Sequence, residues 1–423
     1  MLDTTTPRAR SLSPHDAVVP EGHGLRGDGP LGRVVLDGGV QAWATGDYAV
    51  AREILTRRGD FLKNPANWRA YNAGEISEGW GLLKFITLSG MLNADGTDHD
   101  RLRGLVGKAF TPRRIEDLRP RVEEIVGTLI DDLESQAAPE ARAVAEARVE
   151  TGPVDLRQAF AFPLPMTLIC DLFGLDASRS RQLADDFAVL HDGRRAQEVQ
   201  AAEAGLGSVI GELIAVKSAA PGDDLTSALI AAHSEGEARL SEKELVETLL
   251  LFLFAGHETT ANLIANAVLN LAGHPEQLAA ARESGDWTAV VNETLRRDSP
   301  VRTVMFYYAA RDVTLAGTEI AAGDPVVIHV AATGRDPRQF GPDADEFDVL
   351  REAADKHLGF SHGVHYCIGA PLARMMATTA LRVLFDRFDV ELTGAPEPVP
   401  SYSSNAPQTL PVRLTRRAGS RKR

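Results

Sequence analysis

The feature that most constrains this chain is one long apolar stretch with polar residues in its middle. Ser241-Glu-Lys-Glu244 reads as a capping box. From there a helical pattern runs to about Ala272, where Gly273-His274-Pro275 stops it. A helix of that length spans roughly 48 Å at 1.5 Å per residue. It is apolar on nearly every side from Leu245 to Ala255, so it must cross the centre of the fold. Within it stands Ala255-Gly256-His257-Glu258-Thr259-Thr260. Glycine costs a helix interior about 1 kcal/mol relative to alanine. A threonine hydroxyl can bond back to the carbonyl four residues earlier and loosen the ladder. Such distortions mark either a polar contact between helices or a functional site.

The rest of the chain supplies a setting for that helix. Helical periodicity covers Asp47–Arg58, Asp98–Phe110, Arg113–Leu133, Arg157–Leu172, Ala177–Val216 and Leu225–His233. It returns over Glu276–Ser284, Thr288–Arg297 and Leu372–Phe388. A hairpin is expected over Gly32–Ala44, strands between 301 and 331, and short strands again over 388–414. The expected fold is mainly α with small β-sheets, a single large domain over 31–415. It is preceded by a flexible segment, 1–30, and followed by a basic tail, 416–423, holding five Lys/Arg.

Composition narrows the function. The 423 residues carry 45 basic and 59 acidic side chains, a net charge of −14. That balance argues against a nucleic-acid binder. Two cysteines, Cys170 and Cys367, form no disulfide framework and no CxxC zinc pair. Residues 1–30 hold no apolar stretch of signal-peptide type, and the most apolar run, Leu249–Gly256, is far shorter than a membrane span. The expectation is a soluble cytoplasmic protein without membrane insertion.

Two further motifs stand out. Glu293-Thr-Leu-Arg296 places a carboxylate and a guanidinium on one helix face. Phe360-Ser-His-Gly363-Val-His365-Tyr-Cys367-Ile-Gly369 runs into the last long helix, so Cys367 sits near a helix N-terminus that favours thiolate. From these residues alone Cys367 is a nucleophile, a metal ligand or an inert core thiol. Cys170, in the apolar run Met166–Leu172, is expected to be of the inert kind.

Taken in order, Asp98-His99 with Arg103, Ala255–Thr260, Glu293-x-x-Arg296, Ala332-Thr-Gly-Arg335-Asp336-Pro337, Phe347–Arg351 and Phe360–Gly369 resemble the bacterial cytochrome P450s. The resemblance covers roughly residues 30–415. It implies a soluble heme-thiolate monooxygenase with heme b between the long central helix and the cysteine loop. Such enzymes use O₂ as co-substrate, with electrons from NAD(P)H through external redox proteins, a ferredoxin and its reductase. Cys367 would be the axial ligand of the heme iron, with Phe360, Gly363 and Gly369 around it. His99, Arg103 and His365 would hold the propionates, and Ala255 and Thr259 would lie against the heme. Glu258 and Thr259 would form the acid–alcohol pair that relays protons during O₂ activation. Glu293 and Arg296, joined by Arg351, would be structural.

The resemblance places the substrate pocket, for a hydrophobic small molecule, near Phe252, Ala255, Gly256, Thr303, Val304, Met305 and Ser403, with Trp68, Trp80 and Phe85 as further candidates for its wall. A loop over 68–92 would form a mobile lid. Arg113, Arg114 and Arg374 are candidates for docking an acidic electron donor. The protein is expected to be a monomer acting in secondary metabolism. Oxidative coupling, desaturation, C–S bond formation or decarboxylation are alternative reactions, and a non-catalytic heme sensor or carrier is the alternative class. One position departs from the family: Tyr307 occupies the place of an arginine that commonly faces a propionate.

Overall fold

The computed structural model describes residues 10–11, 29–135 except 89 and 109, 150–175, 179, 183, 186, 196–234 and 240–417. The side chains of 10–11, 84, 85, 196–199, 203 and 232–234 are not described. The 416–423 tail therefore lies outside the described residues beyond Arg417, as does most of 1–30 and much of 177–195.

The central helix runs from Glu242 to Gly273 as one continuous element. Ser241 caps it, accepting from the Glu244 amide, while the Glu244 side chain accepts from the Ser241 amide at 2.7 Å. The threonine hydroxyls bond back as expected, Thr259 to the Ala255 carbonyl at 2.7 Å and Thr260 to the Gly256 carbonyl at 3.1 Å, yet the helix stays unbroken through this stretch. Every residue from Thr260 to Val268 is buried. Among the described residues this is the one helix long and apolar enough to cross a membrane, and most of its apolar window is buried inside the protein. It packs against the helices Pro163–Phe173 and Ala370–Arg387, giving a core that includes Leu164, Leu168, Ile264, Val268, Met376 and Leu381.

The helix preceding that contact begins irregularly. Arg157–Ala161 winds as a π-turn before Pro163, with the Phe162 amide reaching the Arg157 carbonyl at 2.8 Å. Proline at 163 and 165 supplies no amide hydrogen, which suits a first turn but not a helix interior.

The larger sheet has six strands in the spatial order Arg10–Ser11, Gly32–Leu36, Val40–Thr45, Pro325–Ile328, Val304–Ala309, Phe61–Leu62. The expected hairpin is its first antiparallel pair, with Gly32 opposite Ala44. Phe61 and Leu62 pair with Ala309 and Tyr308. This places Lys63 at the edge of the sheet beside the strand carrying Tyr307. A three-stranded sheet joins Val154–Asp155 to the C-terminal strands Phe388–Leu392 and Pro411–Arg416.

Three single helices of the sequence reading differ in detail. Arg113–Leu133 is two helices, Pro112–Asp117 and Arg119–Ser135. Arg157–Leu172 is the π-turn plus helix just described. The 98–110 helix starts at Gly96, with Asp95 before it, and ends at Gly107.

Candidate active site

Cys367 follows a one-turn 3₁₀ helix, Gly363–His365, and precedes the helix that begins at Ala370. Its amide donates to the Phe360 carbonyl at 2.9 Å, closing the loop on itself. Its thiol is half-buried, whereas Cys170 is fully buried. Burial pushes the Cys367 thiol up, and the amides of Gly369 and Ala370, with the charges of Arg103 and Arg374, pull it back toward thiolate. Cys170 has no such donors, and burial raises it to about 11.

The glycines of the loop have separate reasons. Gly363 adopts φ 68°, and a Cβ there would sit 2.5 Å from the Leu55 carbonyl oxygen. Packing against the helix Tyr48–Thr56 thus accounts for the glycine at 363. Gly369 sits next to the sulfur: a Cβ on it would lie 3.9 Å from Sγ. Phe360 is buried under the guanidinium of Arg374, 4.9 Å from its ring centre.

His99 and Arg103 lie one turn apart on the helix Gly96–Gly107, and this helix faces the cysteine loop. The His99 and His365 rings are 4.3 Å apart. Arg103 Nη2 donates to the Tyr366 carbonyl at 2.7 Å. His99 is buried, and its Nε2 has no hydrogen-bond partner among the described residues. Burial lowers His99, and it lowers His365 to about 3, with His99, Lys63, Arg103 and Arg58 adding repulsion. The structure therefore gathers His99, Arg103 and His365 beside Cys367, the two imidazoles neutral and Arg103 carrying the positive charge.

Tyr307 borders the same cluster, its ring 6.3 Å from that of His365. It is buried, and burial holds its phenol well above the ordinary value. Lys63 was not a candidate from sequence. Its ammonium is buried 4.8 Å from the Tyr307 ring centre and donates to the Met305 and Phe306 carbonyls at 2.6 and 2.9 Å. Nothing in Leu62-Lys63-Asn64 distinguishes this lysine from a surface one; strand pairing alone buries it.

On the central helix, Phe254 and Ala255 are exposed, and Gly256, Glu258 and Thr259 are half-buried, immediately before the fully buried run that starts at Thr260. This helix therefore presents an accessible patch in mid-course. Glu258 Oε1 accepts from Ser404 Oγ at 2.8 Å and from Asn262 Nδ2 at 3.3 Å. Asn262 Oδ1 in turn accepts from Arg157 Nη2 at 3.2 Å. His257 points the other way, edge-on to Phe162 at 3.9 Å, and burial lowers it to about 4. Gly256 faces Ile169, 3.1 Å from where a Cβ would stand.

The pocket candidates divide. Phe252 stacks on Phe110 at 5.0 Å. Val304 pairs with Ile328, and Thr303 is buried just ahead of it. The Ser403 carbonyl accepts from the Arg302 amide at 2.7 Å, and Ser404 bridges to Val301. The C-terminal turn is thus tied both to the 301–303 segment and, through Glu258, to the central helix. Met305, Trp68 and Trp80 belong to one aromatic core with Phe306 and Tyr308. Trp68 is fully buried, stacked 5.8 Å from Tyr308, so packing accounts for these tryptophans. The side chain of Phe85 lies outside the described residues. The 68–92 segment contains short helices at Arg69–Asn72 and Leu83–Thr87.

Glu293 and Arg296 are both fully buried. Arg296 makes a two-pronged contact with the carboxylate, Nε to Oε2 at 2.7 Å and Nη2 to Oε1 at 2.6 Å. Its remaining hydrogens reach the Gly334, Ala344 and Glu346 carbonyls. Arg351 Nε lies 3.5 Å from Glu293 Oε1 and also pairs with Asp343. Of the docking candidates, Arg113 and Arg114 are exposed, while Arg374 is turned inward onto Asn292 and Phe360.

Comparison with known proteins gives the family. The cytochrome P450 family model matches residues 46–286 and 287–414. The chain is 42% identical over 419 residues to a 2-hydroxy-5-methyl-1-naphthoate 7-hydroxylase of Streptomyces carzinostaticus, covering 95% of this chain and 98% of that one. It is 38% identical to the cytochrome P450 monooxygenase PikC of Streptomyces venezuelae, over 93% and 90% of the two chains. The solved structure of CYP154A1 from Streptomyces coelicolor superposes with a TM-score of 0.85 at 41% identity, covering 96% of this chain and 99% of that one. Likeness of this extent, in sequence and in fold, shows that the chain belongs to the cytochrome P450 family and is a heme-dependent monooxygenase.

Proposed function

We propose that this cytochrome P450 hydroxylates a mid-sized hydrophobic molecule of secondary metabolism, with Cys367 as the ligand of its heme iron. The observation that carries the assignment is the setting of Cys367: a half-buried sulfur at a helix start, with the amides of Gly369 and Ala370 directed to it. The residues fit a heme in two further respects. His99 Nε2 is a buried donor or acceptor without a partner among the described residues. The cluster it belongs to, with His365, offers two neutral imidazoles as hydrogen-bonding groups, and Arg103 adds the positive charge that a propionate needs.

When bound, heme supplies the O₂ activation and the C–H oxidation, with electrons delivered by external redox proteins. The chain supplies the rest. The Gly369 and Ala370 amides hold the Cys367 sulfur as an acceptor and tune its basicity. Arg103, anchored on the Tyr366 carbonyl, fixes a positive charge beside the cysteine loop. Glu258, its Oε1 accepting from Ser404 and Asn262, is held in place to pass protons inward. The Thr259 hydroxyl, one residue on along the helix, rests on the Ala255 carbonyl until it is called on as a donor. Phe252, Ala255, Gly256, Val304 and the Ser403 turn orient the substrate and exclude water. Glu293, Arg296 and Arg351 brace the fold and take no part in proton transfer.

The relatives support hydroxylation among the oxidative reactions open to this fold, since the naphthoate enzyme is named as a hydroxylase and PikC as a monooxygenase. The electron donor is a ferredoxin fed by NAD(P)H through its reductase, docking on the face that carries Arg113 and Arg114. The protein acts as a cytoplasmic monomer. The test is turnover of a library of aromatic and polyketide-like compounds with O₂, NAD(P)H, a ferredoxin and a ferredoxin reductase. Products heavier by one oxygen support hydroxylation. Products lacking two hydrogens, or joined to a second molecule, would replace it with desaturation or coupling.

A further inference from the structure

Lys63 is a buried cation with no carboxylate on its ammonium among the described residues. Its Nζ donates to the Met305 and Phe306 carbonyls at 2.6 and 2.9 Å and lies 4.8 Å from the Tyr307 ring centre. Only 5% of the residue is exposed. A buried ammonium is costly unless something of opposite charge meets it. Two carbonyl dipoles satisfy two of its three hydrogens, and the Asp95 carboxylate, which offsets the charge in part, does not touch the ammonium. The carboxylates nearby are committed elsewhere. Asp95 spends both oxygens on the Lys63 and Asn64 amides at 2.7–3.0 Å. Asp100 pairs with Arg58 at 2.8 Å.

The surroundings tell where that charge is directed. Asp95 immediately precedes the helix that carries His99 and Arg103, so the Lys63 backbone is fastened to the start of that helix. Tyr307, under the ammonium, is 6.3 Å from His365, and His365 is 4.3 Å from His99. Lys63, Tyr307, His365 and His99 thus form a contiguous row, with Arg103 one turn beyond His99.

We propose that Lys63 is a cation of the cofactor site and pairs with a heme propionate, supplying from the edge of the sheet the charge that Tyr307 does not provide. The proposal rests on the heme lying against His99, Arg103 and His365. Lys63 and Tyr307 act as a unit: the tyrosine ring shields the ammonium from the sheet side, and a guanidinium at 307 would take the same space and the same partner.

The test measures transfer of heme from the purified holoenzyme to excess apomyoglobin, for enzyme carrying heme b and for enzyme reconstituted with heme dimethyl ester, whose propionates bear no charge. Lys63→Gln keeps amide donors for the strand carbonyls and removes the charge. Loss of one charge-assisted contact should make K63Q release heme b about tenfold faster than the wild type. With the diester, K63Q and wild type should release at equal rates. Tyr307→Arg added to K63Q should restore slow release of heme b. Acceleration by the same factor for both cofactors would make Lys63 a strand fastener and overturn the proposal, as would failure of K63Q and K63Q/Y307R alike to yield heme-bearing protein. Arg103→Ala is the reference arm. If R103A responds to esterification and K63Q does not, Lys63 alone is misassigned; if neither responds, the placement of the propionates falls with it.

Discussion

Ser404 Oγ donates to Glu258 Oε1 at 2.8 Å, joining a turn near the C-terminus to the middle of the central helix across 146 residues of sequence. The bond, with Asn262 on the same oxygen, fixes the rotamer of the one carboxylate on the accessible patch of that helix. Positioned proton transfer is worth roughly 10²–10⁴-fold in rate. Glu258→Gln should therefore lower coupled turnover by about a hundredfold. Ser404→Ala should lower it by a smaller factor while heme content stays at the wild-type level. Parallel assays of NAD(P)H consumed, peroxide released and product formed would check this. Wild-type coupling in S404A would show that the Ser404 contact does not position the acid.

Heme retention should depend on Arg103 and hardly at all on the Tyr307 hydroxyl. Arg103 holds a full charge beside the cysteine loop, fastened to the Tyr366 carbonyl. The Tyr307 phenol is buried and stays protonated far above neutral pH, so it brings no charge to a propionate. Arg103→Ala should release heme clearly faster than the wild type, and Tyr307→Phe at close to the wild-type rate. Heme content after gel filtration and after challenge with apomyoglobin measures both. Equal loss from the two variants would contradict this ranking.

The buried Glu293–Arg296 pair should be indispensable to folding and silent in catalysis. Removing one partner leaves an unpaired charge in a fully buried site, at a cost of about 3–5 kcal/mol. Arg296→Lys cannot reproduce the two-pronged contact or reach the Gly334 and Ala344 carbonyls together. Gly334→Ala should also destabilise, because a Cβ there would overlap the Arg296 carbonyl oxygen. Thermal unfolding should show large drops for E293Q and R296K, and any R296K that folds should retain normal coupling.

Stability should fall between pH 6.5 and 5 through histidines held neutral by burial. His257 is lowered from 6.5 to about 4 and His357 to about 3, burial being the main cause in both. In the unfolded chain each binds a proton near pH 6.5, so acid favours unfolding. Their contribution is intact above that pH and is lost as pH falls toward the folded values. Each costs about 1 kcal/mol between pH 6.5 and 5.5. Urea unfolding across this range should give a slope that flattens in His257→Gln. An unchanged slope would assign the acid sensitivity to other groups.

Much of this molecule is legible in the sequence, for reasons that differ by element. The central helix declares itself through its capping box and its length, and the structure has it within one residue of the expected span. The Gly32–Ala44 hairpin follows from the strand-type patterning around Val34, Val35, Leu36, Val40 and Trp43. Chemistry held in one short segment, such as Cys367 with Gly369 or Glu293 with Arg296, is visible because the partners are neighbours in sequence. What depends on distant strands meeting is not. Lys63 becomes a buried cation only because Leu62 pairs with Tyr308, and Ser404 reaches Glu258 only because the C-terminal turn bridges Val301. Trp68 is fully buried in the aromatic core for the same reason: its neighbours Phe306 and Tyr308 come from a strand more than two hundred residues away.

The central claim is that Cys367, and not Cys170, ligates the heme iron. The most direct measurement is the carbon monoxide difference spectrum of the reduced protein in the wild type, Cys170→Ser and Cys367→Ser. The account predicts the strongly red-shifted Soret band of a thiolate-ligated heme in the wild type and in C170S, and its loss in C367S. A thiolate spectrum that survives in C367S, or a histidine-type spectrum in the wild type, would contradict it.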